Sequence, residues 1–347
     1  MESLKKENEI YNFSDIDSLN YCKTILPNVS RSFAIGIEFL KGDLQKSVLV
    51  GYLLCRIIDT VEDDRYLDLN LKKQYLNKFI ECFTDLKKAN YYNSIADELT
   101  GDKYHIDLVR NTTKVFQIYF SLSTNSQKIL KKWVTEMSNG MALFVTRYPN
   151  GIRIVSLNEY KEYCYYVAGT VGYILTELWK EYGSCINDKS YQIMLKNSAI
   201  FGEALQTINI LKDIAWDAKG ENSIYIPSEI LLKYGITHDT LLLDNLRPKA
   251  ELAINEIIQL AYQDIKISLE YLKSIPRTNF RIRFFCIFPL LLALATLKKF
   301  EESKNKITPE NVIKVTRNEV KKIKILSLFA SIFNFLLDIP VLRFFKI

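Results

Sequence analysis

Apolar residues recur at three- and four-residue spacing over nearly the whole chain, the period of helices that each bury one face. Polar breaks interrupt the pattern near residues 64–70, 90–103, 121–126, 149–157, 183–189, 218–228, 234–248, 274–281 and 300–309. The segments between them predict roughly eight to ten helices, many of about 15–25 residues. β-Branched runs joined by hairpin turns are lacking, and no self-similarity at a period of ~20–50 residues suggests a solenoid. No Pro-, Gly- and Ser-rich stretch marks a domain seam. The expected fold is therefore all-α, a single-domain bundle, and bundles build ligand and metal sites between facing helices.

Two apolar runs bear on membranes. The uncharged run from Phe284 to Leu297, with Pro289 inside it, is shorter than the ~20 residues that span a bilayer and predicts a core helix. The run from Ile325 to Leu337 follows Lys321, Lys322 and Lys324 and precedes Arg343 and Lys346. That arrangement suits a helix lying in a membrane interface, the alternative being a C-terminal packing helix. The chain is accordingly expected to divide into a helical domain over residues 1–322 and an apolar C-terminal helix over 323–347. The N-terminus, MESLKKENEI, has no apolar core of a signal peptide, so secretion is not expected.

Composition narrows the function classes. With 347 residues, 48% hydrophobic, and only 12 Gly and 8 Pro, the chain is too apolar for disorder and too poor in turn formers for a β-protein. The net charge of +6, from 46 Lys+Arg against 40 Asp+Glu, is spread along the chain, which argues against nucleic acid as a partner. Six cysteines without a CxxC pair, and two histidines, His105 and His238, disfavour a zinc site or a Cys/His nucleophile. The thiols are expected as buried small hydrophobes in a reducing, cytoplasmic compartment.

The chemistry concentrates in two acidic clusters. DLQKSVLVGYLLCRIIDTVEDD at 43–64 is a mainly apolar helix that ends in Asp59, Glu62, Asp63 and Asp64. Acids at a helix C-terminus oppose the negative pole of the macrodipole, so something positive is expected there. QTINILKDIAWDAKG sets Asn209, Asp213 and Asp217 four residues apart, a ladder of hard oxygen donors on one helix face. Such donors suit Mg²⁺, which keeps several waters and is shared with substrate phosphates. Facing each other across a bundle, the two clusters would clamp a diphosphate, with Arg31, Arg56 and Lys212 as candidate counter-charges. The cation left by a departing diphosphate needs a dry aromatic cavity, for which Phe and Tyr are abundant.

These residues resemble the squalene/phytoene synthase family, the head-to-head prenyl transferases, from about Ser30 to Lys322. SRSF at 30–33, Tyr52 and Arg56 before DTVEDD, MSNGMALFV at 137–145, EYCYYVAGTVG at 162–172, QTINILKD with Asp217, YIP at 225–227 and FFCIFPLLLALATL at 284–297 carry the resemblance. DTVEDD is similar to the squalene-synthase form of the first motif. The resemblance implies an isoprenoid synthase bundle with a central prenyl cavity, acting as a monomer on farnesyl diphosphate with Mg²⁺ and NADPH. The implied reaction condenses two farnesyl diphosphates to presqualene diphosphate and reduces that to squalene. Implied metal ligands are Asp59, Glu62, Asp63, Asn209, Asp213 and Asp217. Ser30, Arg31, Ser32, Phe33, Tyr52, Arg56, Gly169, Gln206, Asn209 and Lys212 are implied substrate contacts. Gly169 and Gly172 would let a prenyl chain approach the backbone. Tyr166 would assist proton removal, and Phe285, with Cys286, would line the cavity of the second step. Asn209 and Lys306 are implied on the cofactor side.

Three positions depart from the family pattern. Trp216 stands where an acid is usual, Asn222 or Ser223 stands near an expected arginine in a loop one residue longer than usual, and Thr308 follows Lys306 where a second arginine would help. The competing expectations are a relative that stops at presqualene diphosphate, dehydrosqualene or hydroxysqualene, one that makes phytoene, and a non-catalytic scaffold, against which the retained carboxylates argue.

Overall fold

Side chains of Ser14, Asp68, Asp85, Asp102, Ser123, Ser156 and Thr316 accept hydrogen bonds from the first-turn amides of the helices they precede, fixing seven helix starts. The computed structural model describes residues 14–30, 32–220, 222–303, 306–308 and 313–334. Arg31 and residues 335–347 lie outside this set, and with them the end of the C-terminal apolar run.

The described residues form fifteen α-helices. In chain order these are α1 (Asp15–Val29), α2 (Ser32–Phe39), α3 (Gly42–Glu62), α4 (Leu69–Glu81), α5 (Leu86–Tyr92), α6 (Lys103–Arg110), α7 (Thr112–Phe120) and α8 (Thr124–Arg147). There follow α9 (Leu157–Cys164), α10 (Thr170–Tyr182), α11 (Asp188–Gly220), α12 (Ser228–Lys233), α13 (Arg247–Ser274), α14 (Phe280–Glu302) and α15 (Arg317–Ile332). Every break expected from the polar segments is a break in the structure. The helices outnumber the expectation because short interruptions divide apolar runs: Ser30 accepts the amide of Phe33, and Asp85 caps α5. Conversely, α11 runs 33 residues, longer than expected.

The long helix α11 packs along α13 and also touches α10 and α14, while α3 lies against α8 and α10. Among the described residues there is no strand, only a bridge between Arg153 and Ile224 that ties the loop after α8 to the loop after α11. Between α9 and α10 the helix widens to a single π-helical stretch, Tyr165–Gly169, a feature frequent at functional sites. Glycines on both sides let this segment and α11 touch: a Cβ on Gly172 would stand 2.0 Å from the Ser198 carbonyl oxygen of α11, and one on Gly202 of α11 2.3 Å from that of Ala168.

Helix α14 is long and apolar enough to cross a membrane, but 72% of its apolar window is buried inside the protein, as expected of a core helix. It also holds the C-terminal helix. Arg283, fully buried, donates to the carbonyls of Leu272, Ile275, Ser331 and Ala330 and to Asn334 Oδ1. These acceptors lie at the C-terminal ends of α13 and α15, where the negative helix poles compensate the guanidinium charge. The boundary expected at 322/323 therefore falls inside α15, which is continuous and packed on α14.

Candidate active site

On α3, Tyr52, Arg56 and Asp59 follow at steps of four and three and so share one helix face. Tyr52 Oη donates to the Val29 carbonyl at 3.0 Å, Arg56 Nη2 donates to Tyr52 Oη at 3.2 Å, and Arg56 Nη1 stands 3.5 Å from Asp59 Oδ2. All three line a cavity of ≈200 Å³ between α3, α10, α11 and α14, together with Phe33, Gln206, Asn209, Phe285 and Cys286. Most of that lining is apolar. Phe33 packs on Tyr52 at 5.7 Å and on Phe285 at 6.3 Å, and Trp179 meets Phe285 edge-on at 5.3 Å. Gly36 gives the Phe285 ring its space, since a Cβ there would come within 2.9 Å of it. Burial pushes the Cys286 thiol up to about 12, so it stays neutral.

Beyond Asp59, α3 ends in Glu62 and Asp63, which line a second, polar cavity of ≈520 Å³ with Arg65, Lys72, Asn222 and Ser223. Burial raises the Asp59 carboxyl to about 7 against the pull of Arg56, with Asp63 adding to the rise. Burial, then the charge and hydrogen bond of Asp63, raise Glu62 as well. Burial opposes the Arg56 charge, but Asp59 and Tyr52 raise its pKa further. The Arg56 Nε is buried and has no hydrogen-bond partner among the described residues. His105 on α6 stands close enough to Arg56 and Asp63 to sense both: burial, then Arg56, lower its pKa, while Asp102 and Asp63 oppose. Its nearness to the acidic motif has no signal in the sequence, where it stands 41 residues beyond Asp64.

The ladder on α11 has the expected facing: Asn209 is exposed and Asp213 and Asp217 half-buried, while Ile208, Ile210, Leu211, Ile214 and Ala215 are buried. Lys212 pairs with Asp213, and the Asp217 carbonyl accepts the Ser223 amide at 3.0 Å. Among the described residues no three His, Cys, Asp or Glu side chains converge to hold one metal ion. The donors instead stand on two helices, α3 and α11. That set fits Mg²⁺, which completes its shell with water and phosphate oxygens rather than with an all-protein cage. Of the two residues implied on the cofactor side, Asn209 lines the apolar cavity, whereas Lys306 is half-buried and lines neither cavity.

Several expected site residues take other positions. Asp64 is buried and accepts from the amides of Tyr66, Leu67 and Thr100 and from the Thr100 hydroxyl, so it anchors the loop rather than joining the acidic cluster. Ser30 spends its hydroxyl on the amide of Phe33, and neither it nor Ser32 lines the cavities. Val167 and Ala168, not Tyr166, face the apolar cavity; the Tyr166 ring fits over Gly140, where a Cβ would come within 2.0 Å of it. Gly169 is also absent from the lining and meets Ala199 of α11 closely, whereas Gly172, which likewise packs on α11, does line the apolar cavity.

The family model for squalene/phytoene synthase matches residues 26–319. Among curated proteins, the squalene synthase of Dictyostelium discoideum is 28% identical over 92% of this chain and 72% of its own length. That of Cyberlindnera jadinii is 30% identical over 85% of this chain and 64% of its own length. Among solved structures, TcSQS with the ligand E5700 aligns with a TM-score of 0.80 at 28% identity, covering 93% of this chain and 90% of that one. A dehydrosqualene synthase structure shares the fold at a TM-score of 0.65 and 18% identity.

Proposed function

Because the chain belongs to the squalene/phytoene synthase family, we propose that it is a farnesyl-diphosphate farnesyltransferase of the squalene synthase type, with Mg²⁺ and NADPH as cofactors. The observation that carries the proposal is the joint between the two cavities. There the aromatic chamber lined by Arg56, Asp59 and the α11 amide Asn209 adjoins, along α3, the polar cavity lined by Glu62 and Asp63, and the buried Arg56 Nε has no hydrogen-bond partner among the described residues.

The chemistry follows from that joint. The C1–O bond of one farnesyl diphosphate breaks and diphosphate leaves with the electron pair. The C2–C3 π pair of the second molecule attacks C1, and loss of a proton closes the cyclopropane of presqualene diphosphate. Bound Mg²⁺ supplies charge neutralisation at the departing diphosphate. Asp59, Glu62 and Asp63 on one helix, and Asn209, Asp213 and Asp217 on the other, would hold it. Arg56 donates to the leaving oxygens from the chamber side, where low dielectric strengthens the interaction. Lys212 and Gln206 are proposed to add contacts from α11. The rings of Phe33, Tyr52 and Phe285 turn negative faces toward the developing cation. Tyr166, adjacent to cavity-lining Val167, is proposed to assist the proton loss. The second half, ending in hydride delivery from NADPH, rests on family membership.

Incubation with farnesyl diphosphate and Mg²⁺, with and without NADPH, tests the proposal by mass spectrometry of the products. Squalene only when NADPH is present is expected. Presqualene diphosphate, dehydrosqualene or hydroxysqualene under all conditions, or phytoene from geranylgeranyl diphosphate alone, would reassign the chain within its family.

Peripheral membrane contact is part of the same proposal. Ile325, Leu328, Phe329 and Ile332 on α15 are exposed at helical spacing, and Lys321, Lys322 and Lys324 are exposed beside them. An apolar stripe with flanking lysines suits an anionic lipid interface, where an oily product leaves. Replacing Ile325 and Phe329 with Ser is expected to abolish flotation with anionic liposomes; unchanged flotation would remove this part.

A further inference from the structure

Arg65 follows the first acidic motif directly, and its side chain crosses to the other acidic helix. The guanidinium carbon lies 5.5 Å from the centre of the Trp216 ring on α11. One turn on, Gly220 passes beneath the same group: a Cβ there would come 2.6–2.9 Å from the guanidinium atoms. Trp216 is 61% exposed, an unusual setting for so large an apolar ring unless something lies on it. Trp216 and Gly220 flank Asp217 in sequence, so Arg65 reaches from the end of one carboxylate set to the end of the other.

The surroundings assign this reach a purpose. Arg65 lines the polar cavity with Glu62, Asp63 and Lys72, and the Lys72 ammonium donates to the Glu62 carbonyl at 2.7 Å. On the loop beyond Gly220, Ser223 Oγ accepts the Ile152 amide, and the Asn222 side chain bonds Arg153 and the Asn150 carbonyl. That loop is thus committed to its neighbour and brings no cation of its own into the cavity. A planar guanidinium with donors in a fixed fork matches phosphate oxygens, and an aromatic face beneath it fixes the fork's plane.

We infer that Arg65 is a substrate-binding residue of this chain, contacting the diphosphate of the allylic substrate in the polar cavity, and that Trp216 is the residue that positions it. This rests on the prenyl transferase reading. A side chain at 220 would shift the guanidinium from this place, and Trp216 provides a platform that an acid at that position would not.

The test uses the full chain and inorganic pyrophosphate with Mg²⁺ as the probe, by calorimetry, beside steady-state kinetics on farnesyl diphosphate. Arg65→Gln is expected to weaken pyrophosphate binding by about tenfold or more, as loss of a charge-assisted hydrogen bond does. KM for farnesyl diphosphate should rise more than kcat falls, and Mg²⁺ affinity without pyrophosphate should stay unchanged. Arg65→Lys should recover part of the loss, and Trp216→Leu should fall between wild type and Arg65→Gln. Wild-type pyrophosphate affinity in Arg65→Gln overturns the assignment to Arg65, even if the wild type makes presqualene diphosphate. Wild-type affinity in Trp216→Leu overturns the positioning role alone. A wild type that binds pyrophosphate through Arg65 yet consumes no prenyl diphosphate leaves the contact standing and removes the reading on which it was built.

Discussion

Two sets of acids border helix α11, and burial pushes a carboxyl in each to about 7: Asp59 at the cavity joint, and Asp264 on α13, which faces Glu203. They resemble each other in that respect and differ in every other. Asp59 sits 3.5 Å from Arg56, opens onto a cavity, and continues into Glu62 and Asp63. Glu203 and Asp264 are each less than a tenth exposed, line neither described cavity, and have Glu203 Oε1 and Asp264 Oδ2 without a hydrogen-bond partner among the described residues. After burial, the charge that acts most strongly on Asp59 is that of Arg56, whereas on Asp264 it is that of another acid, Glu203, with Lys161 a weaker opposing pull. A raised carboxylate pKa thus marks buried charge, and a site is recognised only when access and cationic partners accompany it.

Substitutions can break this comparison. The largest effect is expected at the joint: Asp59→Asn should lower turnover on farnesyl diphosphate by about 10²–10³-fold, the scale of losing a central electrostatic contact, with helical content unchanged by circular dichroism. Turnover near wild type would erase the distinction between the two acid sets.

At the sealed pair the expectation has the opposite sign and concerns stability. Asp264 is raised from 3.8 to about 7 in the folded state, so the stability its neutral form contributes is present below pH 3.8 and is lost as pH rises through about 7. Asp264→Asn cannot ionise and should gain about 1–3 kcal/mol in denaturant unfolding at pH 8, a gain that vanishes toward pH 4. Activity should be unaffected. A destabilised variant at pH 8 would mean that the charged pair holds a compensating partner.

A smaller effect sharpens the joint itself. If Asp59 holds Mg²⁺ as proposed, the metal must displace the proton that Asp59 carries below about pH 7, so Mg²⁺ affinity should fall as pH drops. The fall should be about tenfold per pH unit for each proton displaced, measured by calorimetry, and should become shallower in Asp59→Asn, leaving the share of Glu62. On turnover the smallest effect is expected at Asp64: Asp64→Ala should leave the chemistry intact while costing about 1–3 kcal/mol of stability, because the Thr100, Tyr66 and Leu67 amides lose their acceptor.

What the sequence determined by itself is the periodic and the local. Helical spacing and the polar breaks specify where α3, α11 and α14 run, because burial of one face at a 3.6-residue period is a property of the string. The spacing of Tyr52, Arg56 and Asp59, and of Asn209, Asp213 and Asp217, likewise specifies which side chains share a face. Tertiary structure alone decided how those faces are used. Asp64 resembles its three acidic neighbours in sequence, yet Thr100, 36 residues away, draws it into the loop. Tyr166 and Gly169 carry the family motif, but close contacts with Gly140 and Ala199 set where they sit. Arg65 and Trp216 are 151 positions apart and carry no shared pattern. Their contact exists because helix packing brings the ends of α3 and α11 to the same cavity, and burial, distance and the pairing of charges arise only from that packing.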